Sequence, residues 1–379
     1  MRMLSPSAGG RLALPDGPPR RVAVLRALQL GDLLCAVPAL RALRRALPGS
    51  EITLVGLPWA AAFARRFAHL VDAFVPFPGF PGLPEIEPDL AALPGFVREM
   101  QAMRYDAVVQ LHGRGDITNV LVASFGARVS AGFVGKNAWC PDAARYAPWP
   151  DTGREIQRLL SLVDFLGIPR VGTALEFPLD GHECDEAAAL LREHALVPGE
   201  FVCVHPGARL RSRRWPVERF AALAQRIADL GFRVVVTGGP DERALAARVA
   251  KDTPGAVDLA GRTSLGVLGA LLCNARLLVC NDTGASHVAA AVGTPSVVLC
   301  CGADPWRFAP LDAERHEVLH EAVPCRPCAH ECCPIGHPCA LRLSLEHVAA
   351  RVVRRLALRE LGAPVRAIPA VDRARAGAR

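Results

Sequence analysis

The chain has 379 residues, of which 51% are hydrophobic and 21% charged, so it is long enough for two globular domains of ordinary size. No apolar run reaches the roughly 18 uninterrupted residues of a membrane span, and the proline-rich start (6–19) lacks the apolar stretch of a signal peptide, which predicts a cytoplasmic protein. The formal net charge of +7 is nearly all arginine, because Lys136 and Lys251 are the only lysines; acidic ligands or an anionic membrane surface are the expected partners, and nucleic acid is not.

Strands and helices are predicted to alternate in the first half of the chain. Apolar runs predict strands over Val22–Leu28 and Ile52–Val55, and apolar residues at helical spacing predict a helix over Leu33–Leu47 between them. Later strands are expected at Tyr105–Leu111 and Arg128–Phe133. This β-α-β pattern is typical of a parallel sheet.

The same alternation restarts after Pro198. The predicted elements are, in order, strand Phe201–Val204, helix Val217–Leu230, strand Phe232–Thr237, helix Glu242–Ala250, strand Val257–Ala260, helix Leu265–Cys273, strand Leu277–Cys280 and strand Ser296–Cys300. The chain is therefore predicted to be α/β, with two doubly wound Rossmann-like domains over 20–175 and 183–360. Ligands of such sheets bind at the carboxyl ends of strands, so the expected binding place is the cleft between the domains.

A polar turn follows the apolar strand Leu277–Cys280 and opens a helix of small residues. It carries Asp282, Thr283, Gly284, Ser286 and His287. Free N–H groups and the positive end of a helix dipole suit an anion such as a phosphate. The alternative is that Asp282 or Thr283 only caps the helix and that His287 is a satisfied core histidine.

Polar clusters also follow the first strands of both halves. After the opening strand, Gly31 permits a tight turn from which Asp32 would project, either to accept a proton from a substrate hydroxyl or to cap the helix. The loop 205–216 begins with His205 and Gly207 and holds four arginines: Arg209, Arg211, Arg213 and Arg214. Because arginine holds phosphate through fixed, bidentate donors, this loop indicates phosphate contact.

Two weaker signals lie further along the second half. Gly238-Gly239 lets a ligand approach the backbone, and Glu242 can accept hydrogen bonds from ribose hydroxyls. Ser264 stands where another helix opens. Alone, neither signal identifies a ligand.

Together these clusters resemble glycosyltransferase family nine, the heptosyltransferases that add heptose to the lipopolysaccharide core. The resemblance covers roughly residues 22–353 and depends on four motifs that occur in the same order as in the family. The first two are Gly31-Asp32 with Pro38, and His205-Pro206-Gly207 with Arg213-Arg214-Trp215-Pro216. The other two are Gly238 to Glu242, and Asp282-Thr283-Gly284 with Ser286-His287 and Gly293-Thr294-Pro295. It implies a GT-B fold, in which two Rossmann-like domains face each other across a cleft. Residues 20–175 are then the acceptor-side domain, and residues 183–360, with the cysteine-rich loop 321–341, are the nucleotide-sugar-binding domain. It also implies metal-independent, inverting transfer from a nucleotide sugar, with ADP-heptose as the expected donor and a lipopolysaccharide-core or related glycan as the expected acceptor.

The resemblance also implies roles for individual residues. Asp32 is the expected general base, and Arg213 stands where the family often has lysine, which keeps the charge but changes its geometry. Arg213 and the helix start at Gly284 would stabilise the charge that gathers on the departing diphosphate. The expected donor-binding residues are His205, Gly207, Arg209, Arg214, Gly239, Glu242, Ser264, Asp282, Thr283, Gly284, Ser286 and His287.

A cysteine-rich loop over 321–341 stands apart from the other cysteines. Cys325-x2-Cys328, followed by Cys333 and Cys339, has the close spacing of a structural zinc site, with Cys332 or a histidine as a substitute ligand. The second pair is more widely spaced than is usual for zinc. Reduced thiols without metal and an iron–sulfur cluster are the alternatives.

Two other functions compete with sugar transfer. One is a nucleotide-sugar epimerase of GT-B fold, and the other is a nucleotide-sugar-binding protein without turnover. Asp32 and the basic tail favour transfer. The tail over 361–379, rich in Pro, Ala and Arg, is predicted to be partly disordered and either contacts the inner face of the cytoplasmic membrane or is only a diffuse basic surface.

Overall fold

The structure is a computed structural model that describes residues 9–358, so the basic tail over 361–379 lies outside the described residues. The chain divides into two compact units, Met1–Leu175 and Glu176–Arg379. Each unit contains one six-stranded sheet in which every pairing is parallel. The α/β, doubly wound fold class is confirmed.

The first unit has the strand order β3-β2-β1-β4-β5-β6. Its strands are β1 Arg21–Leu25, β2 Glu51–Gly56, β3 Ala73–Pro76, β4 Ala107–Gln110, β5 Val129–Val134 and β6 Tyr146–Pro148. Its helices are α1 Leu30–Ala46, α2 Ala61–Arg66, α3 Leu93–Ala102, α4 Thr118–Ala123 and α5 Glu155–Phe165. The central strands are buried along almost their whole length, because helices cover both faces of the sheet.

The second unit has the strand order β12-β11-β10-β7-β8-β9. Its strands are β7 Phe201–His205, β8 Arg233–Val236, β9 Val257–Asp258, β10 Leu277–Asn281, β11 Ser296–Leu299 and β12 His316–Leu319. Its helices are α6 Gly181–Glu193, α7 Val217–Asp229, α8 Arg243–Lys251, α9 Leu265–Asn274, α10 Gly284–Val292, α11 Pro338–Leu341 and α12 Leu345–Ala357. Helix α7 packs with α8 and α12, while α9 packs with α6 and α10, so two helical layers enclose the apolar sheet.

Both sheets reverse their strand order between the first and the fourth strand of the unit, that is, between β1 and β4 and between β7 and β10. Strand β10 lies directly beside β7, with Cys280 paired to His205. The loops that leave β7 and β10 therefore start side by side at the carboxyl edge. In open α/β sheets this reversal creates the crevice in which ligands bind.

Three local predictions need correction. The strand predicted over Val22–Leu28 ends at Leu25. Helix α1 begins at Leu30 rather than Leu33, because Gln29 takes the extended N-cap conformation, so Asp32 lies in the first helical turn and not in a preceding loop. The strand predicted over Val257–Ala260 ends at Asp258, where the carboxylate accepts a hydrogen bond from the amide of Ala260 and turns the chain.

The sequence patterns also missed β3, β6 and β12, which all lie at sheet edges. Each has only three or four residues. An edge strand pairs with only one neighbour and can be short and partly exposed, so its apolar sequence pattern is weak. Within 9–358, no helix is both long enough and apolar enough to cross a membrane.

Candidate functional site

The turn between β10 and α10 is an uncapped helix start. Thr283 takes the N-cap position with extended φ and ψ, but its side chain makes no capping hydrogen bond. The amide and the hydroxyl of Ser286 both donate to the carbonyl oxygen of Thr283, at 3.0 and 2.7 Å. The amides of Gly284 and Ala285 are thus left for a ligand or water at the positive end of the helix. Thr283 therefore occupies the N-cap position without capping the helix through its side chain, which the alternative interpretation would require of it.

His287 lies one turn into α10 and is buried. Burial lowers the pKa of His287, and the nearby Asp282 acts in the opposite direction. The imidazole is therefore neutral near pH 7, with one donor and one acceptor nitrogen. Asp282 and Ser286 line a small cavity that extends to Asp304 in the loop after β11.

Asn281 joins the two loops at the carboxyl edge. Its side chain is fully buried at the end of β10. The amide oxygen accepts a hydrogen bond from the backbone N–H of Trp215 at 2.9 Å, and the amide nitrogen donates to the carbonyl of Pro206 at 2.7 Å. Both partners belong to the arginine-rich loop 205–216, so Asn281 holds that loop against the helix start.

The four arginines of this loop differ in their surroundings. Arg209 and Arg211 are exposed. Arg214 donates from Nε to the carbonyl of Ala208 at 2.8 Å and so supports the loop. Nε of Arg213 is buried and has no hydrogen-bond partner among residues 9–358. Because buried donors are nearly always paired, Nε of Arg213 is the one arginine atom of this loop that still requires a partner, and its contact with a donor phosphate stays a prediction.

His205, Thr237, Glu242 and Gly239 form a connected polar network. Nδ1 of His205 lies 3.1 Å from Oγ1 of Thr237, and Nε2 lies 3.5 Å from Oε2 of Glu242. That same carboxylate oxygen accepts a hydrogen bond from the amide of Gly239 at 2.9 Å. Burial lowers the pKa of His205 despite the opposing effect of Glu242, so the pair orients Glu242 rather than forming a strong ion pair.

Two glycines and a serine complete the predicted donor set. A Cβ on Gly207 would overlap the Glu242 carboxylate, so only glycine lets that side chain lie across the loop. Gly239 donates its amide to Glu242, as described above. Ser264 caps α9 by accepting from the amide of Val267, which is a structural role; its contact with a donor stays a prediction.

In the first unit, Asp32 lies beside a buried arginine. Arg26 follows β1, is almost completely buried, and donates from Nε to the carbonyl of Asp32 at 2.8 Å. Its Nη2 is 3.1 Å from the buried Glu155 and 3.9 Å from Oδ1 of Asp32. A third donor nitrogen bonds the carbonyl of Leu111 after β4. Arg26 therefore connects the first turn of α1, which carries Asp32, to the segment after β4, at the point where the strand order reverses.

A profile of glycosyltransferase family 9 (heptosyltransferase) matches residues 95–338. The chain belongs to this family.

A curated relative agrees with this membership, and solved structures share the fold. Lipopolysaccharide heptosyltransferase 3 of Escherichia coli is 29% identical over 227 residues, which span 55% of this chain and about 65% of that protein. The structure of a family 9 glycosyl transferase from Veillonella parvula has 24% identity and a TM-score of 0.67 over 83% of this chain and 88% of that chain. E. coli heptosyltransferase WaaC, solved with ADP-2-deoxy-2-fluoro heptose, has 20% identity and a TM-score of 0.61 over 88% of this chain and 99% of that chain. These structural likenesses show the fold.

In this family 9 chain, the cysteine-rich loop packs on the arginine-rich loop. Ser212 donates from its amide to the carbonyl of Glu331 at 2.9 Å and from its hydroxyl to the carbonyl of His330. The Ser212 carbonyl lies 2.8 Å from Nε2 of His337. The cysteine-rich loop thus fixes the residue that precedes Arg213.

The same loop does not assemble the predicted metal ligands in this conformation. Within the described range, no three His, Cys, Asp or Glu side chains form a group that could hold a metal ion. Cys339 is buried as part of the apolar core, whereas Cys325 is exposed. Zinc coordination by Cys325, Cys328, Cys333 and Cys339 therefore stays a prediction.

Sequence reasoning missed the residues that support the site. Asn281 and Arg26 were detectable in principle, since each is a polar residue directly at the end of an apolar strand. Glu155 had no local signal, because it reaches Arg26 from a helix more than a hundred residues away. The contact of Ser212 with His337 was equally invisible in the sequence.

Proposed function

We propose that this protein is an inverting glycosyltransferase that moves heptose from ADP-heptose to a lipopolysaccharide-core or related glycan acceptor. One observation carries the proposal. The start of α10, where the Thr283 side chain makes no capping hydrogen bond, and Arg213, whose buried Nε has no hydrogen-bond partner among residues 9–358, belong to loops that leave adjacent strands and are joined by Asn281. This arrangement provides a cation and backbone donors for a diphosphate.

The donor chemistry follows from these groups. When the bond between the sugar and the phosphate breaks, negative charge gathers on the departing nucleoside diphosphate. Arg213 and the amides of Gly284 and Ala285 are in place before the reaction, so they stabilise that charge without reorganisation. Oε2 of Glu242 is engaged by Gly239 and His205, and Oε1 is the acceptor we assign to ribose hydroxyls.

The acceptor hydroxyl must lose a proton, and we assign that proton to Asp32. Arg26 holds the backbone of Asp32 and places a positive charge 3.9 Å from its carboxylate. A nearby cation favours the ionised form of a carboxyl group, which is the form a general base needs. Inverting transfer requires only one such base, because the hydroxyl attacks the sugar directly.

The relatives support the choice of substrates. The E. coli relative is named as a lipopolysaccharide heptosyltransferase, and the WaaC structure contains an ADP-heptose analogue. We also place the reaction in the cytoplasm, with the basic tail over 361–379 contacting an anionic membrane surface. The tail lies outside the described residues.

Incubating the purified full chain with ADP-heptose, with and without a deacylated lipopolysaccharide-core acceptor, tests the proposal. We expect ADP release that depends on the acceptor, and an α-configured product if the donor sugar is β-linked. Isomerised ADP-sugar without ADP release would instead indicate an epimerase. Binding of ADP-heptose with neither reaction would indicate a nucleotide-sugar-binding protein.

A further inference from the structure

A chain of four alternating charges runs from Asp32 into the interior of the first unit. Arg26 lies between Asp32 and Glu155, and Oε2 of Glu155 lies 4.0 Å from Nη1 of Arg158. Arg26, Glu155 and Arg158 are buried, whereas the side chain of Asp32 is 21% exposed. The alternating signs give each buried charge an opposite partner, as buried charges require. Asp32 is the end of this chain that solvent reaches.

Two helix starts bring these carboxylates to Arg26. Helices α1 and α5 pack against each other, Asp32 lies in the first turn of α1, and Glu155 is the first residue of α5. A glutamate at a helix start is stabilised by the helix dipole, but such a residue is ordinarily exposed. Glu155 is only 1% exposed. The helix dipole alone therefore does not explain why this carboxylate is buried against Arg26.

Arg26 is divided unequally between the two carboxylates. Its Nη2 donates to Oε1 of Glu155 at 3.1 Å, whereas the same nitrogen lies 3.9 Å from Oδ1 of Asp32, beyond hydrogen-bond distance. Its Nε and Nη1 donate to the backbone carbonyls of Asp32 and Leu111. All three nitrogens thus have an acceptor, and Arg26 anchors the backbone of Asp32 without a hydrogen bond from Nη2 to Oδ1.

Removing the charge of Glu155 would change this division. Asp32 and Glu155 are the two carboxylates within ion-pair distance of Arg26 in the described part of the chain. Without the charge of Glu155, the buried guanidinium would have Asp32 as its one anionic partner. A shift of about 1 Å would then bring Nη2 into a charge-assisted hydrogen bond with Oδ1. A carboxylate held in this way is a weaker base.

We propose that Glu155 is a positioning residue for the general base. By accepting the hydrogen bond from Nη2 of Arg26, Glu155 keeps that donor away from the Asp32 carboxylate, while Arg26 still anchors the Asp32 backbone. Glu155 is buried behind Arg26 and acts only through it. The inference rests on the proposed function, because it assigns the residue that keeps the base of that reaction able to accept a proton.

Glu155→Gln tests this role, because it keeps the shape of the side chain and removes its charge. In transfer assays with ADP-heptose and a lipopolysaccharide-core acceptor, we expect kcat to fall about 10- to 100-fold, as displacement of a catalytic group does, while both KM values stay within about twofold. Glu155→Asp, which keeps the charge on a shorter side chain, should recover part of kcat. In an Asp32→Asn background, Glu155→Gln should cause no further loss, since the two residues act as one unit.

Glu317→Gln is the matched control. Glu317 is also a largely buried carboxylate between two arginines, Arg351 and Arg355, but it belongs to the second unit. This variant should lose thermal stability and keep the kcat of the wild type. An equal loss of kcat in the two glutamine variants, or a loss that multiplies with that of Asp32→Asn, would overturn the positioning role. If Glu155→Gln does not fold, wild-type kcat in Glu155→Asp would overturn it as well.

Chemical labelling of carboxyl groups separates this inference from the proposed function. A carbodiimide with glycinamide modifies protonated carboxyl groups, and mass spectrometry of peptides gives the rate at Asp32. In Glu155→Gln we expect that rate to fall about tenfold relative to the exposed Asp89 of the same sample, because Arg26 then holds the Asp32 carboxyl group ionised. An unchanged rate contradicts the positioning role even where sugar is transferred. A reduced rate in a protein whose wild type transfers no sugar supports the positioning of Asp32 and refutes the transferase function.

Discussion

Replacing Asn281 with alanine tests whether the two loops at the carboxyl edge form one site. Asn281 is fully buried, and its side chain satisfies the amide of Trp215 and the carbonyl of Pro206. The variant removes both of these hydrogen bonds at once. The arginine-rich loop would then have two buried backbone groups without hydrogen bonds.

The expected cost follows from those two groups. A buried polar group left unsatisfied costs about 1–3 kcal/mol, so Asn281→Ala should lower the free energy of unfolding of the second unit by about 2–6 kcal/mol. That is a large part of the roughly 5–15 kcal/mol that stabilises an ordinary domain. In the molecules that stay folded, Arg213 is no longer held against the start of α10, so the affinity for ADP should fall as well.

Urea unfolding, combined with hydrogen exchange of peptides from β7 and β10, measures this change in the second unit. Asn274→Ala is the matched control, because Asn274 donates only to the carbonyl of Ala270 one turn earlier in α9 and should cost less than about 1 kcal/mol. If Asn281→Ala loses no more stability than the control and binds ADP like the wild type, the two loops are not coupled through Asn281.

Three further changes test the assigned roles. Asp32→Asn should leave ADP-heptose binding nearly intact and lower turnover by ~10²-fold or more, as loss of a general base does; wild-type turnover would remove Asp32 from the mechanism. Arg213→Ala should weaken ADP binding by about 10- to 100-fold and slow transfer together, whereas Arg211→Ala, at an exposed arginine of the same loop that is outside the expected donor set, should change little; equal affinities by calorimetry would reassign the diphosphate contact. The cysteine spacing predicts one zinc ion per chain in protein purified without chelator, and chelation should lower thermal stability; zinc near zero by elemental analysis, with all thiols of 325–339 titratable, would refute that prediction.

The sequence by itself determined the fold class and the positions of the polar clusters along the chain. Apolar runs of strand length, separated by helices and ending in polar turns, are readable locally, because a buried parallel strand must be apolar throughout. Such runs located the loop after β7 and the turn after β10. They located one of the four edge strands, β9, and missed the other three, β3, β6 and β12, whose pairing depends on the neighbouring strand.

Only the tertiary structure decided which residues of each cluster bond to their own loop and which have polar atoms left unsatisfied. Arg213 and Arg214 are adjacent in a run of arginines, yet Arg214 bonds its own loop, whereas Nε of Arg213 has no hydrogen-bond partner in the part of the chain that the structure describes. Thr283 looks like an ordinary cap until its missing hydrogen bond is seen. The contact of Arg26 with Glu155 joins residues 129 positions apart, and no local pattern encodes it. Hydrogen bonds depend on distances of a few tenths of an ångström between groups from different elements, and packing of the whole unit sets those distances.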